Sequence, residues 1–365
     1  MKILISAGGT GGHIYPALSI IEGFEKYDKN LEVLYVGTKN RMEKDIVPKN
    51  NIPYYGIEIY GLSKNIFKDI KDVFLIIKAK KELKKKILEF KPDVVLGIGG
   101  YVTYPVLSVA HKMHIKTFIH EQNAIPGKTN KMISKYADII GVSFLESKKY
   151  FQGKNVLYTG NPTGIRAINT PKITKSSLGM QEDMPLVVVV CGSLGSETVN
   201  NAMQGYLKTL KNKNYQVVYI TGKNLYEKFN KTKYPSNVLV LPYLDNLSGL
   251  LKSTDVLVAR AGASTIAEVI SLKVPTIFIP SPYVANNHQY FNALALRKEN
   301  QALLLEEKNL STANITKTIE ELLYNKEKQL QIKNNLSKIS TLDSTKIIYD
   351  AIKDLIKKWI WNVRY

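Results

Sequence analysis

Short apolar runs alternate with stretches of helical periodicity along most of the chain, and the runs are too apolar to be half-exposed strands. In the first half, strands are expected at KILISA (2–7), LEVLYVG (31–37), PDVVLGIG (92–99), KTFIHE (116–121) and DIIGVS (138–143). In the second they are expected at PLVVVVCG (185–192), YQVVYITG (215–222), NVLVLPY (237–243), DVLVARAG (255–262), VPTIFIP (274–280) and QALLLEE (301–307). Strands buried on both faces and separated by amphipathic helices mean parallel sheets, so the fold class is α/β with two Rossmann-like doubly wound domains. A length of 365 residues fits two cores better than one. GNPTG at 160–164 reads as the hinge, because Pro162 and two glycines suit neither a helix interior nor a ladder. The expected domains are 1–162 and 163–342, followed by a basic helix over 343–365 whose Trp359 and Trp361 either cover core or meet a membrane surface.

Each half opens as strand, glycine turn, helix. Such a turn presents unpaired N–H groups and the positive end of a helix dipole, where phosphate or another electron-rich oxygen belongs. In AGGTGGH the glycines at 8, 9, 11 and 12 strip the backbone for a bulky ligand, and His13 follows at once. A dinucleotide site is disfavoured, since the second strand ends in Gly37, Thr38 and Lys39 where a carboxylate should meet the ribose. A Walker loop is excluded, because no Lys-Ser or Lys-Thr follows the glycines.

The second half offers better nucleotide ground. Gly192, Ser193 and Gly195 lead into a helix and suit a diphosphate. Gly262 and Ser264 open another that carries Glu268 one turn in, where a carboxylate either accepts from a ribose diol or is an ordinary solvated first-turn glutamate; nearby Arg260 favours the ligand. His120, Glu121, Gln122 and Asn123 crowd one strand end, and Asn287, His288 and Gln289 repeat that chemistry before a later helix. Side chains that both donate and accept are what a sugar ring requires, although helix capping would use the same residues. GIGGYVTYP (97–105) and the HEQN cluster should share a crevice with the GGTGGH loop at the carboxyl ends of parallel strands.

Charge alters the picture more than composition does. Against 51 Lys plus Arg stand 31 Asp plus Glu, a formal net charge of +20 that should attract nucleic acid, an anionic membrane leaflet or phosphorylated substrates. Zinc spacing, a helix-turn-helix and an aromatic–basic RNA signature are all missing, which weighs against a non-catalytic nucleic-acid-binding protein. Cys191 stands alone, so no intramolecular disulfide forms and a reducing compartment fits. PLVVVV at 185–190 falls short of the ~18 residues of a membrane span, and ILIS is too short for an export signal. Over 65–86, Ile66, Phe67, Ile70, Val73, Phe74 and Ile77 recur at helical spacing and lysines at 78, 80, 81, 84, 85 and 86 cluster beyond them. That stripe is either domain core or, with Phe67, Ile70, Phe74, Lys84 and Lys85 as its contacts, a membrane-facing surface.

Taken together, GGTGGH, GIGGY, HEQNA, GNP, GS-G, RAGAST…E and HQ…NA occur in the order of the MurG family, which the chain resembles over nearly its whole length. These are the bacterial peptidoglycan glycosyltransferases that move N-acetylglucosamine onto lipid I to give lipid II. The resemblance implies the GT-B fold, two such domains around a cleft, the first (1–162) binding acceptor and membrane with the last helix (343–365) returning to it, the second (163–342) binding the UDP-sugar. It implies an inverting, metal-independent hexosyltransferase in cell-wall biogenesis, cell shape and division, with UDP-N-acetylglucosamine and lipid I as substrates. The protein would be peripheral on the cytoplasmic side of the cell membrane, with an anionic leaflet and other cell-wall or division proteins as partners, and without cofactor or nucleic acid. By the same resemblance the donor meets Thr10, Gly11, Gly12, Asn123, Arg166, Ser193, Gly195, Ala263, Ser264, Glu268, His288 and Gln289, and the backbone of Leu244 meets uracil. The acceptor meets Gly9, Gly12, Gly99, Gly100 and Tyr101, with His13 and then Glu121 as the candidate catalytic bases. Two departures stand out: Thr163 and Gly164 follow GNP where the family has arginine, so Arg166 is the nearest guanidinium, and GSLGSET carries serine and glutamate in the phosphate turn. No Asp-x-Asp pair occurs to hold a metal. A diacylglycerol glucosyltransferase and a UDP-N-acetylglucosamine epimerase share the fold and the donor, and are the alternatives.

Overall fold

In the computed structural model, residues 1–61, 66–191, 196–222, 225–339 and 343–364 are described. The chain divides into two units, Met1–Thr163 with Leu342–Tyr365, and Gly164–Thr341.

The first unit holds seven parallel strands: β1 (Lys2–Ala7), β2 (Glu32–Thr38), β3 (Tyr54–Ile57), β4 (Val94–Gly99), β5 (Lys116–Glu121), β6 (Ile139–Val142) and β7 (Val156–Tyr158), in spatial order 3-2-1-4-5-6-7. Period-two alternation sorts their side chains between two cores. Ile3 and Ile5 of β1 pack with Ile14, Ile21 and Phe24 of the Gly11–Tyr27 helix and with Ile348 and Ile352 of the Ser344–Arg364 helix. Leu4 turns the other way, onto Leu83 and Ile87 of the Ile66–Phe90 helix and Val106 of the Thr103–Lys112 helix. Each such fully buried side chain contributes about 1.5–3 kcal/mol.

The last helix approaches the first very closely. Thr345 fills the space where a side chain at Gly23 would stand. Tyr27 donates to Asp343 at 2.6 Å, and the Phe24 and Tyr349 rings meet edge to face at 5.3 Å. The side chains of Trp359 and Trp361 lie outside the described residues.

The second unit repeats the plan with β8 (Leu186–Val190), β9 (Gln216–Ile220), β10 (Val238–Leu241), β11 (Val256–Ala259), β12 (Thr276–Phe278) and β13 (Leu303–Leu304), ordered 10-9-8-11-12-13. Val187, Val188 and Val189 are all buried, as a strand covered on both faces requires.

One expectation is corrected and one open alternative is narrowed. GNPTG is not wholly a linker, since a helix starts at Thr163 and runs to Asn169, with Pro162 ahead of its first turn where a missing N–H costs nothing. Gly164 is helical and makes room for Ser271 and Ala267 of the Ala263–Leu272 helix. On the Ile66–Phe90 helix the buried stripe is Leu75, Ala79, Leu83 and Ile87, whereas Val73, Phe74 and Ile77 are 51–68% exposed, so those three are not core. The side chains of Phe67 and Ile70 lie outside the described residues. Among the described residues no helix is long and apolar enough to cross a membrane.

Candidate active site

Strand order reverses between β1 and β4, and again between β8 and β11. Loops leaving such neighbours diverge to opposite faces, which opens a crevice at the carboxyl end of each sheet.

In the first unit the loops after β1 and β4 touch. Gly8 N donates to Gly99 O at 3.1 Å. Gly99 and Gly100 have φ of +135° and +88°, and Gly8 O occupies the place of a side chain at Gly100. These glycines therefore serve the approach of one backbone to another. The four in the first loop also divide: Gly8 yields space to Glu43 and Val102 and Gly11 to Tyr15, while Gly9 borders open space and a Cβ at Gly12 would meet only Thr10 Oγ1, at an ordinary 3.6 Å. Only the latter two match the expectation of a backbone bared for a ligand. Thr10 is exposed at the N-cap of the Gly11–Tyr27 helix, and its side chain makes no capping bond. The first amides of that helix, at Gly11 and Gly12, have no carbonyl one turn back to bond.

His13 is half-buried in the first turn, with Nδ1 3.0 Å from Gly8 O. A carbonyl only accepts, so Nδ1 carries the proton of the neutral ring and Nε2 the basic lone pair. Nε2 lies against Gly99, where a Cβ would stand 2.8 Å away. Tyr101, after β4, has a buried hydroxyl with no hydrogen-bond partner among the described residues.

The HEQN cluster is organised inward. Buried His120 places Nε2 3.0 Å from both Gly160 O and Thr159 Oγ1, and its Nδ1 accepts from Gln122 at 3.1 Å. Burial pushes its pKa down to about 4, with the Gly160 bond opposing, so the ring is neutral. Glu121 is 1% exposed. It accepts from Asn123 N (2.9 Å), Asn123 Nδ2 (3.1 Å), Gly127 N (3.1 Å) and Asn130 Nδ2 (2.9 Å). A carboxylate so encircled holds the turn after β5 together. Asn123 is thereby fixed, half-buried, at the strand end.

In the second unit, Ser193 and Gly195 lie outside the described residues. The described residues on either side of them are Cys191 and Ser196. Arg260, expected to strengthen a ligand site, is instead buried: it pairs with Glu307 at 2.6 Å and donates to Ile279 O at 3.0 Å and to Ser196 Oγ at 2.5 Å. Its guanidinium fixes the start of the Glu197–Lys208 helix rather than pointing at a ligand.

Gly262 caps the Ala263–Leu272 helix in extended conformation, so Ala263 and Ser264 supply its first amides. The Ser264 hydroxyl is buried with no hydrogen-bond partner among the described residues. One turn on, burial pushes Glu268 up to about 7, and the Arg166 guanidinium pulls it back. Close packing at Gly164 brings Arg166 to that carboxylate, which joins two residues 102 positions apart in sequence. At the next switch-side loop His288 Nδ1 bonds Ala285 O at 2.8 Å, and Gln289 Oε1 accepts from Ser281 N at 2.9 Å. Leu244 follows β10, at the same carboxyl end of a parallel sheet.

Sequence reasoning missed Glu43. It is fully buried, yet the pattern shows only a first-turn glutamate of the short Glu43–Lys49 helix. The buried hydroxyl of Ser264 and that of Tyr101 are likewise invisible to pattern alone.

Two doubly wound parallel sheets, each with a switch point at the carboxyl ends of its strands, are the architecture of the GT-B glycosyltransferases. Residues 3–142 match the glycosyltransferase family 28 N-terminal domain and residues 186–355 its C-terminal domain. The chain belongs to glycosyltransferase family 28. It is 42% identical over 362 residues to the UDP-N-acetylglucosamine--N-acetylmuramyl-(pentapeptide) pyrophosphoryl-undecaprenol N-acetylglucosamine transferase of Bacillus pumilus, covering 97% of this chain and 99% of that one. The protein of the same name from Bacillus subtilis is 40% identical over 364 residues, covering 98% and 100%. The crystal structure of Acinetobacter baumannii MurG superposes with a TM-score of 0.77 at 25% identity, covering 97% and 99%. A putative UDP-N-acetylglucosamine 2-epimerase from Listeria monocytogenes shares the fold alone, with a TM-score of 0.72 at 15% identity over 98% and 97%.

Proposed function

We propose that the protein transfers N-acetylglucosamine from UDP-N-acetylglucosamine to the muramyl C4 hydroxyl of lipid I, forming lipid II. The near full-length likeness to relatives that bear this activity in their name carries the reading. The second unit (Gly164–Thr341) binds the donor and the first (Met1–Thr163 with Leu342–Tyr365) the acceptor. Glu268 accepts from the ribose diol, with Arg166 beside it facing the nucleotide. Leu244 presents its backbone to uracil, while Ser193 and the Gly195 turn hold the diphosphate. Ala263, Ser264, His288, Gln289 and Asn123 meet the sugar, together with Thr10, Gly11 and Gly12. The Ser264 hydroxyl, buried and without a partner among the described residues, supports a polar ligand there, because a buried hydroxyl left unpaired is costly. Tyr101 supports the acceptor side in the same way, beside Gly9, Gly12, Gly99 and Gly100.

In the reaction the C4 oxygen attacks the anomeric carbon as its bond to the diphosphate breaks, which inverts that centre and expels UDP. His13 Nε2 takes the hydroxyl proton. Glu121, committed to four N–H groups, holds the loop and leaves the proton to His13. Helix N-termini and Ser193 meet the charge growing on the leaving diphosphate, as fixed dipoles do without reorganising. Incubation with UDP-N-acetylglucosamine and a lipid I analogue, chelator present, should give UDP and a product heavier by one N-acetylhexosamine. Epimerised donor without transfer, transfer to diacylglycerol, or turnover that returns only with magnesium would each refute the scheme.

A polyprenyl-anchored acceptor requires the enzyme at the membrane, peripherally on its cytoplasmic side. Val73, Phe74 and Ile77 are exposed, and exposed Lys78, Lys81, Lys84 and Lys85 continue that face one to three turns further. Each lysine near an anionic leaflet contributes about 1 kcal/mol. Co-sedimentation with vesicles should rise with anionic lipid, fall with salt, and weaken in Phe74→Ser and in Lys84→Glu/Lys85→Glu. Equal binding to neutral vesicles, or none, would remove this face as the contact.

A further inference from the structure

We infer that Glu43 is a positioning residue for His13, acting through the peptide bond that joins Gly8 to Gly9; the inference rests on His13 being the acceptor-side base. Gly8 C=O and Gly9 N–H belong to one planar unit. Gly9 N donates to Glu43 Oε2 at 3.2 Å, and Gly8 O accepts from His13 Nδ1 at 3.0 Å. A carboxylate thus meets an imidazole N–H through one intervening peptide instead of directly. Negative charge at Oε2 draws on the amide proton and moves electron density onto Gly8 O, since hydrogen bonds in a chain polarise one another. The strengthened carbonyl favours the ring most when it is cationic, which is when Nε2 has just taken the proton from the acceptor hydroxyl.

The surroundings are built for this carboxylate. Oε1 accepts from Thr38 N at 3.1 Å and from Thr38 Oγ1 at 2.6 Å, so its rotamer is fixed at the end of β2. Side chains are missing where they would strike it: a Cβ on Gly8 would stand 3.0 Å from Glu43 Cδ, and one on Gly37 2.7 Å from Glu43 Cγ. The φ of +87° at Gly9 turns its amide inward to the carboxylate. That amide is accordingly spent on Glu43, and Gly9 meets a ligand through its bare Cα rather than its N–H.

Among the described residues, the titratable groups around the relay are phenols and one neutral ring, with Lys39 and Asp45 at the margin. Tyr35 donates to Ala7 O at 3.2 Å and Tyr54 to Thr38 O at 2.6 Å. Burial, then the charge of Glu43, keeps both protonated, and Asp45 adds to the effect on Tyr54. Lys39 follows Thr38 in the chain, Tyr15 packs on Gly11, and His120 across β4 is neutral.

The chain has five histidines, so ¹⁵N-histidine NMR with His13 assigned by His13→Gln can follow its titration. In Glu43→Gln the His13 pKa should fall by about 1. The acid limb of the kcat/KM profile should move down with it, at unchanged donor KM. Thr38→Val keeps the charge but removes one donor from Oε1, which concentrates charge on Oε2, and should raise the His13 pKa. An unmoved pKa in Glu43→Gln overturns the relay. If that variant does not fold, Thr38→Val decides, and an unchanged or lowered pKa there overturns it. A lowered His13 pKa with an unmoved kcat/KM profile upholds the relay and refutes His13 as the base.

Discussion

Replacing His13 by alanine should lower kcat by about 10²–10⁴-fold while leaving the affinity for UDP-N-acetylglucosamine within about twofold, because general-base catalysis typically supplies that factor. The geometry behind this is the tautomer. Gly8 O fixes the proton on Nδ1, and Nε2 is left as the nitrogen able to accept another. Single-turnover transfer with a calorimetric titration of the donor separates the two effects. His13→Asn can still donate to Gly8 O, so it tests whether the ring merely props the glycine loop. Near-normal turnover in either variant would eliminate His13 as the base, and an equal loss of donor affinity would place it on the nucleotide instead.

Glu268→Ala should weaken donor binding by roughly 10- to 100-fold, the 1–3 kcal/mol that follows when ribose hydroxyls lose their acceptor inside a closed site. The carboxyl stands near 7, so its protonated form competes with that role around neutrality. Donor affinity should therefore decline as pH drops through about 7. Folding runs the other way. From an ordinary 4.5 in the unfolded chain the group is raised to about 7, so the folded protein binds the extra proton between those values. The contribution of Glu268 to stability without ligand is therefore fullest below 4.5 and lost as pH rises to about 7. Glu268→Gln should flatten both dependences. Isothermal titration at pH 6 and 8, beside thermal unfolding in the same buffers, checks the opposed signs; donor affinity independent of pH in the native enzyme would break the assignment.

What could be read beforehand follows from where each residue finds its partners. The apolar run at 186–190 announces a strand because both of its faces are covered, and every central strand shares that signal. Edge strands β3 and β7 escape notice: YYGI and VLY are only four and three residues long and only partly buried. On the Ile66–Phe90 helix two apolar stripes compete, and lysines interleave with Ala79, Leu83 and Ile87, so spacing picks the exposed one. Glycine turns and polar clusters mark the ligand ends of the sheets, since their chemistry is local. Glu43 and Glu121 are another matter. Their partners are largely main-chain amides brought up by folding, and main-chain amides leave no mark in a sequence.

The return of the Ser344–Arg364 helix to the first sheet sets the order in which the protein can mature on the ribosome. Ile14, Ile21 and Phe24 are synthesised early but find Ile348 and Ile352 only after the whole second unit has emerged. At bacterial elongation rates that interval is on the order of ten seconds or more, long enough for a nascent apolar face to need shelter. A chain released early would carry a complete second sheet and an unfinished first one, prone to capture by chaperones or proteases.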